Sequence, residues 1–126
     1  MSTKLNYHKF ENFRLSSGQN VSLRLSYQTF GLKLGEAPLV VVNHSLTGDS
    51  NISGDKGWWS ELIGSKKMID TDKFCVMCIN IPGNIKEKRG FNYVNKWILH
   101  DVAKLFVQLL KNLGVKKVHS LIGGSI

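Results

Sequence analysis

The last residues of the chain, Leu121-Ile122-Gly123-Gly124-Ser125-Ile126, carry the residue types needed for nucleophilic acyl chemistry. They fill four of the five positions of a G-x-S-x-G pattern directly behind an apolar run. That spacing has a mechanical reason. A chain that leaves a strand and turns tightly into a helix needs a small residue two positions before the serine, and the hydroxyl then stands clear at the sheet edge. The amino terminus of the following helix offers unpaired amides to developing negative charge. On this spacing Ser125 is the candidate nucleophile, and the Ile126 N–H is one candidate oxyanion donor. A plain Gly-Gly-Ser turn is the alternative reading, because the fifth position of the pattern is absent.

A second cluster, Asn43-His44-Ser45-Leu46-Thr47-Gly48-Asp49-Ser50, follows the apolar run Leu39 to Val42. Where a serine sits at a strand-to-helix elbow, the loop after an earlier buried strand gives the second oxyanion amide, here that of Leu46. Both donors are main-chain groups, so the side chains of Leu46 and Ile126 need not be polar. His44, Thr47 and Gly48 are candidates for the substrate side of the site. The base of this arrangement follows the serine in the chain, so His44 reads as a loop-ordering residue before a catalytic one. The tandem Trp58-Trp59 comes next, in Asp55 to Gly64; a tryptophan pair is ordinarily packing, and its place after the oxyanion loop gives it interest.

Other chemistries are disfavoured. Cys75 and Cys78 have C-x-x-C spacing, but they lie in the apolar stretch Phe74 to Asn80, where residues three apart on a strand point to opposite faces. No second Cys/His pair completes a zinc site, so no metal is expected and both thiols read as small buried hydrophobes. The formal charge of +8 raises nucleic-acid binding. The basic residues are nevertheless scattered and lack interleaved aromatic platforms, so a solvated surface is expected and no nucleic-acid partner. No apolar run approaches the ~18 residues of a membrane span, and Met1 to Asn12 has no signal-peptide core, so the expectation is a cytoplasmic protein without a membrane partner.

The elements that must position these residues are legible from periodicity. Val21 to Phe30 alternates, with Ser22, Arg24, Ser26 and Gln28 on the polar side, as a half-buried strand does. The turn residues Ser16 to Asn20 join it to Phe10–Leu15 as an antiparallel hairpin. Leu39 to Asn43, Phe74 to Ile81 and Val118 to Ile122 lack alternation and read as strands buried on both faces. A helix is expected from Lys96 to Leu113, with Asn95 as its N-cap and Gly114 as its stop, and a short helix over Trp58 to Ile63. An antiparallel hairpin followed by buried strands and a helix indicates an α/β sheet, mostly parallel after its first strands.

Several blocks in one order resemble the homoserine O-acetyltransferase family: Ser26-Tyr27-Gln28-Thr29-Phe30-Gly31, His44 to Ser50, Gly57-Trp58-Trp59 through Leu62-Ile63-Gly64, Ile69 to Phe74, and Gly123-Gly124-Ser125. The resemblance runs from about Leu15 to the last residue. It implies the amino-terminal portion of an α/β-hydrolase fold, residues 1–126 being one incomplete domain of that type, truncated after the nucleophile elbow. It further implies a ping-pong transfer in which Ser125 takes an acetyl group from acetyl-CoA, a co-substrate and not a bound cofactor, and passes it to the hydroxyl of homoserine in methionine biosynthesis. The family is typically a cytoplasmic homodimer. A triad running Ser, Asp, His requires an acid and a base beyond position 125, so the chain as given is expected to be inactive. The family's long glycine-rich segment after its fourth strand is replaced here by the shorter Ile81 to Tyr93, which keeps a serine hydrolase or esterase on the same fold in play. A non-catalytic fragment is the remaining alternative. With one firm helix, the strand Val118 to Ile122 would stand at an open, partly apolar edge.

Overall fold

The computed structural model describes residues 4–45, 48–83 and 97–124. Seven strands and one helix occur among them: β1 (Asn6–Arg14), β2 (Asn20–Gly31), β3 (Leu39–Asn43), β4 (Ile63–Gly64), β5 (Ile69–Asp70), β6 (Cys75–Ile79), α1 (Leu99–Asn112) and β7 (Ser120–Gly123). Five strands form the main sheet in the order β1-β2-β6-β3-β7, and β4 and β5 form a small parallel pair. β1–β2 and β2–β6 are antiparallel, whereas β6–β3 and β3–β7 are parallel. The expected antiparallel hairpin leading into a mostly parallel sheet is therefore present.

The two faces of the sheet hold separate cores. Leu25, Leu39, Val41, Cys75, Met77 and Ile79 point to one face, where Leu105 and Leu109 of α1 cover them. Phe30, Val40, Val42, Val76 and Cys78 point to the other, beneath Ile52, Ile63 and Ile69 of the segment that links β3 to β6. This division explains why β3 and β6 lack alternation: each is covered on both sides, so both parities are apolar. Leu105 and Leu109 are fully buried, and each contributes about 1.5–3 kcal/mol by leaving water. Cys75 and Cys78 fall into different cores, as their spacing on a strand requires. Burial pushes the Cys75 thiol up to about 11 and the Cys78 thiol up to about 12, so neither forms a thiolate near neutral pH. β7 takes the sheet edge, and its Leu121 is 67% exposed.

Four expectations are corrected. The polar side of β2 is not a solvent face along its whole length: Ser26 is 0% and Gln28 4% exposed, because the loop after β3 lies on that face. α1 begins at Leu99 with Ile98 in the N-cap position, so it is shorter than Lys96 to Leu113, and Asn95, outside the described residues, is not its cap. The start is fixed from within and from afar: the Asp101 carboxylate accepts from the Ile98 N–H at 3.1 Å and from the Ser16 N–H and Oγ at 2.8 and 2.7 Å. Trp58 to Leu62 forms turns, not a short helix, and Ile63 opens β4. β1 starts at Asn6, four residues before the expected Phe10, since His8 and Phe10 pair with Leu25 and Leu23 of β2.

The helix stop falls as expected. Gly114 has φ +82°, the Gly114 N–H donates to the Lys111 carbonyl and the Val115 N–H to the Leu110 carbonyl, which is a Schellman motif.

Candidate active site at the carboxyl ends of the strands

In an open sheet of this kind ligands gather where parallel strands end. β3 and β7 are adjacent and in parallel register, with Asn43 opposite Gly123. The two segments singled out in the sequence therefore leave neighbouring strands at the same end of the sheet. Ser125, Ile126, Leu46 and Thr47 themselves lie outside the described residues. The residues that flank them in the chain are described.

On the β7 side, a Cβ added at Gly124 would come 3.3 Å from Cζ2 of Trp59, so the backbone directly after the strand runs close against that indole. Trp59 also packs on the core beneath β3 and β6. Its neighbour Trp58 meets it at 4.8 Å between ring centroids and donates Nε1–H to the Asp49 carbonyl at 2.9 Å. The tandem pair thus bonds to the segment after β3 through Trp58 and lies against Gly124 through Trp59. Main-chain bonds brace it from behind, from Trp58 N–H to Asn51 O and from Trp59 N–H to Ile52 O. Gly57 makes this fold of the chain possible, because a Cβ there would fall 2.2 Å from the Ser53 nitrogen.

On the β3 side, His44 is 3% exposed and both ring nitrogens are engaged. Nε2 lies 3.0 Å from the Ile81 nitrogen and accepts its N–H. Nδ1 must then carry the proton, and it donates to the Ser45 carbonyl at 2.7 Å. Through these two bonds His44 links the segment after β3 to the main chain after β6. Gly48 closes the same loop: its N–H donates to the Ser45 carbonyl at 2.9 Å, and a Cβ would meet Ser45 Oγ at 3.1 Å.

Sequence reasoning missed a polar network that lies wholly inside the protein. Asn80, directly after β6 and fully buried, accepts the Ser50 N–H at 2.8 Å through Oδ1. Its Nδ2 donates to Ser26 Oγ and Ser50 Oγ, both at 2.8 Å, and Ser50 Oγ donates to Gln28 Oε1 at 2.6 Å. The available signal was a lone amide closing an apolar strand, opposite a β2 parity that carried Ser26 and Gln28. Among the described residues no group of three or more His, Cys, Asp or Glu side chains is placed to hold a metal ion, and no helix is long and apolar enough to cross a membrane.

No family model matches the chain. Individual proteins do. A homoserine O-acetyltransferase of Corynebacterium diphtheriae is 32% identical over 97% of this chain and 35% of its own length. The crystal structure of a homoserine O-acetyltransferase from Staphylococcus aureus superposes with a TM-score of 0.82 at 28% identity, over 97% of this chain and 39% of that one. Esterase E22 superposes with a TM-score of 0.84 at 20% identity, over 99% of this chain and 41% of that one, a likeness of fold. The chain spans about a third of the length of the curated relatives it matches. Similarity along nearly all of its sequence, on a shared α/β-hydrolase fold, makes this chain a relative of the homoserine O-acetyltransferases.

Proposed function

We propose that the chain carries the nucleophile and oxyanion half of a serine acyltransferase, which in the whole protein moves an acetyl group from acetyl-CoA to the hydroxyl of homoserine. The observation that carries the reading is the parallel pairing of β3 with β7, Asn43 beside Gly123. It supports a site in which Ser125 and the amides of Leu46 and Ile126 converge at one end of the sheet. Ser125 Oγ attacks the thioester carbonyl as a base takes its proton. The tetrahedral oxyanion is held by the two main-chain N–H groups, and its collapse breaks the C–S bond and releases the protonated thiol of coenzyme A. Homoserine then attacks the acetyl-serine ester through its hydroxyl, restoring Ser125. Neither step needs a cofactor beyond the acyl donor. His44 is not the base of this scheme, since its one unprotonated nitrogen is occupied by the Ile81 amide.

The same geometry serves a second reading, an esterase in which water takes the place of homoserine. The fold of esterase E22 and the short segment Ile81 to Tyr93 favour it. Incubating the product of the complete reading frame with acetyl-CoA and homoserine separates the two: O-acetylhomoserine is the expected product, and release of free acetate alone refutes the transferase. Methionine biosynthesis, a cytoplasmic setting and a homodimeric whole protein belong to the same proposal.

A further inference from the structure

The reciprocal hydrogen bonds between the loop after β3 and the residues after β6 point to a positioning role for Asn80 and His44, which we infer clasp the oxyanion loop in place. This inference rests on the proposed function. His44, just before the Leu46 position, reaches across to the main chain of Ile81. Asn80 reaches back to the main chain of Ser50, just after it. Each segment thus supplies one side chain to the other's backbone, and the two bonds bracket the amide assigned to the oxyanion. Both side chains are buried, at 3% and 0% exposure; the Asn80–Ser50 bond is wholly shielded from solvent, and the His44–Ile81 bond is partly so. Asn80 is itself held by Ser26, which binds the clasp to β2.

Catalytic benefit from an oxyanion donor depends on its standing at the right place before charge develops. The bonds made by His44 and by Ser50, on either side of position 46 in the chain, serve that need, and their loss would act on the transition state more than on substrate binding. Loss of the clasp therefore lowers kcat with little change in KM. What the clasp needs from His44 is an acceptor for the Ile81 N–H, so a neutral side chain that offers an oxygen near the same place restores part of the rate.

The test uses the full-length protein and a fluorophosphonate probe, whose reaction with the serine passes through an oxyanion-bearing centre. His44→Ala and Asn80→Ala are expected to slow labelling of Ser125 about tenfold, short of the roughly hundredfold loss that follows removal of an oxyanion donor itself. KM for acetyl-CoA stays within about twofold, and His44→Gln recovers part of the loss. Labelling of both alanine variants at the unaltered rate overturns the positioning role while leaving the nucleophile assignment standing. No labelling of Ser125 in the unaltered protein overturns that assignment, and the clasp with it. If alanine at either position prevents folding, Ser26→Ala carries the test by removing one acceptor of Asn80: a few-fold slower labelling supports the clasp, and an unchanged rate overturns it.

Discussion

Gly57→Ala tests the packing that brings the tryptophan pair to the site. An alanine Cβ at this position would lie 2.2 Å from the Ser53 nitrogen and 2.4 Å from the Ser53 carbonyl carbon and Cα. All three are main-chain atoms and none can rotate aside, so the two segments must separate by roughly an ångström to restore ordinary contact. Overpacking of this kind costs about 1–3 kcal/mol, and the rigidity of the neighbour places the cost at about 3. The separation also strains the bonds from Trp58 to Asn51 and from Trp59 to Ile52. Gly114→Ala is the internal control. There a Cβ meets nothing within 4 Å, and the cost is the φ of +82° alone, about 1–2 kcal/mol. Urea unfolding of both variants beside the parent, followed by circular dichroism, measures the difference. Gly57→Ala should lose the more stability and should alter tryptophan fluorescence in the folded state. A Gly57→Ala protein as stable as the parent, or more stable than Gly114→Ala, would refute the reasoning.

Three further outcomes follow from the two cores and the helix start. Leu105→Ala, in the core beneath α1, should destabilise by about 2–5 kcal/mol in the same urea assay, whereas the exposed Val107→Ala should change stability by less than about 0.5 kcal/mol. Cys75 and Cys78 should resist a thiol reagent at pH 8 in the folded protein and react once it is unfolded, because burial raises both thiols to about 11 and about 12. Burial pushes the Asp101 carboxyl up, but hydrogen bonds from the Ser16 hydroxyl and the Ile98 and Ser16 amides, with Lys104 nearby, bring it below the ordinary 3.8. Its contribution is therefore full above that value and lost as pH falls through the lower folded one. Asp101→Asn should flatten the acid limb of the stability profile and leave the rest of its shape unchanged.

The parts of the fold that read well in the sequence are those governed by one strong periodic signal. β3 and β6 announced burial on both faces through unbroken apolar runs, and the final turn of α1 announced its end through Gly114. What escaped depends on residues distant in the chain. Ser26 and Gln28 looked solvent-facing because β2 alternates, yet the loop carrying Ser50 buries them. The start of α1 does not follow a polar cap residue, because its first turn is set by Asp101 and by Ser16, 85 positions away. Trp58 to Leu62 has an apolar spacing suited to a helix, but pairing of 58 and 59 with 51 and 52 claims the backbone first. At the candidate site, the strand ends around positions 43 and 123 were legible from run lengths and glycines. Asn80 was not, since a single amide at a strand end carries no pattern until its partners are seen.

The most direct measurement is the fate of Ser125 in the protein from the complete reading frame, mixed rapidly with acetyl-CoA without homoserine and analysed by mass spectrometry of its peptides. The account predicts one acetyl group on Ser125, lost when homoserine is added and absent in Ser125→Ala. An active enzyme whose acetyl group appears on another residue, or which stays active with alanine at 125, would contradict it.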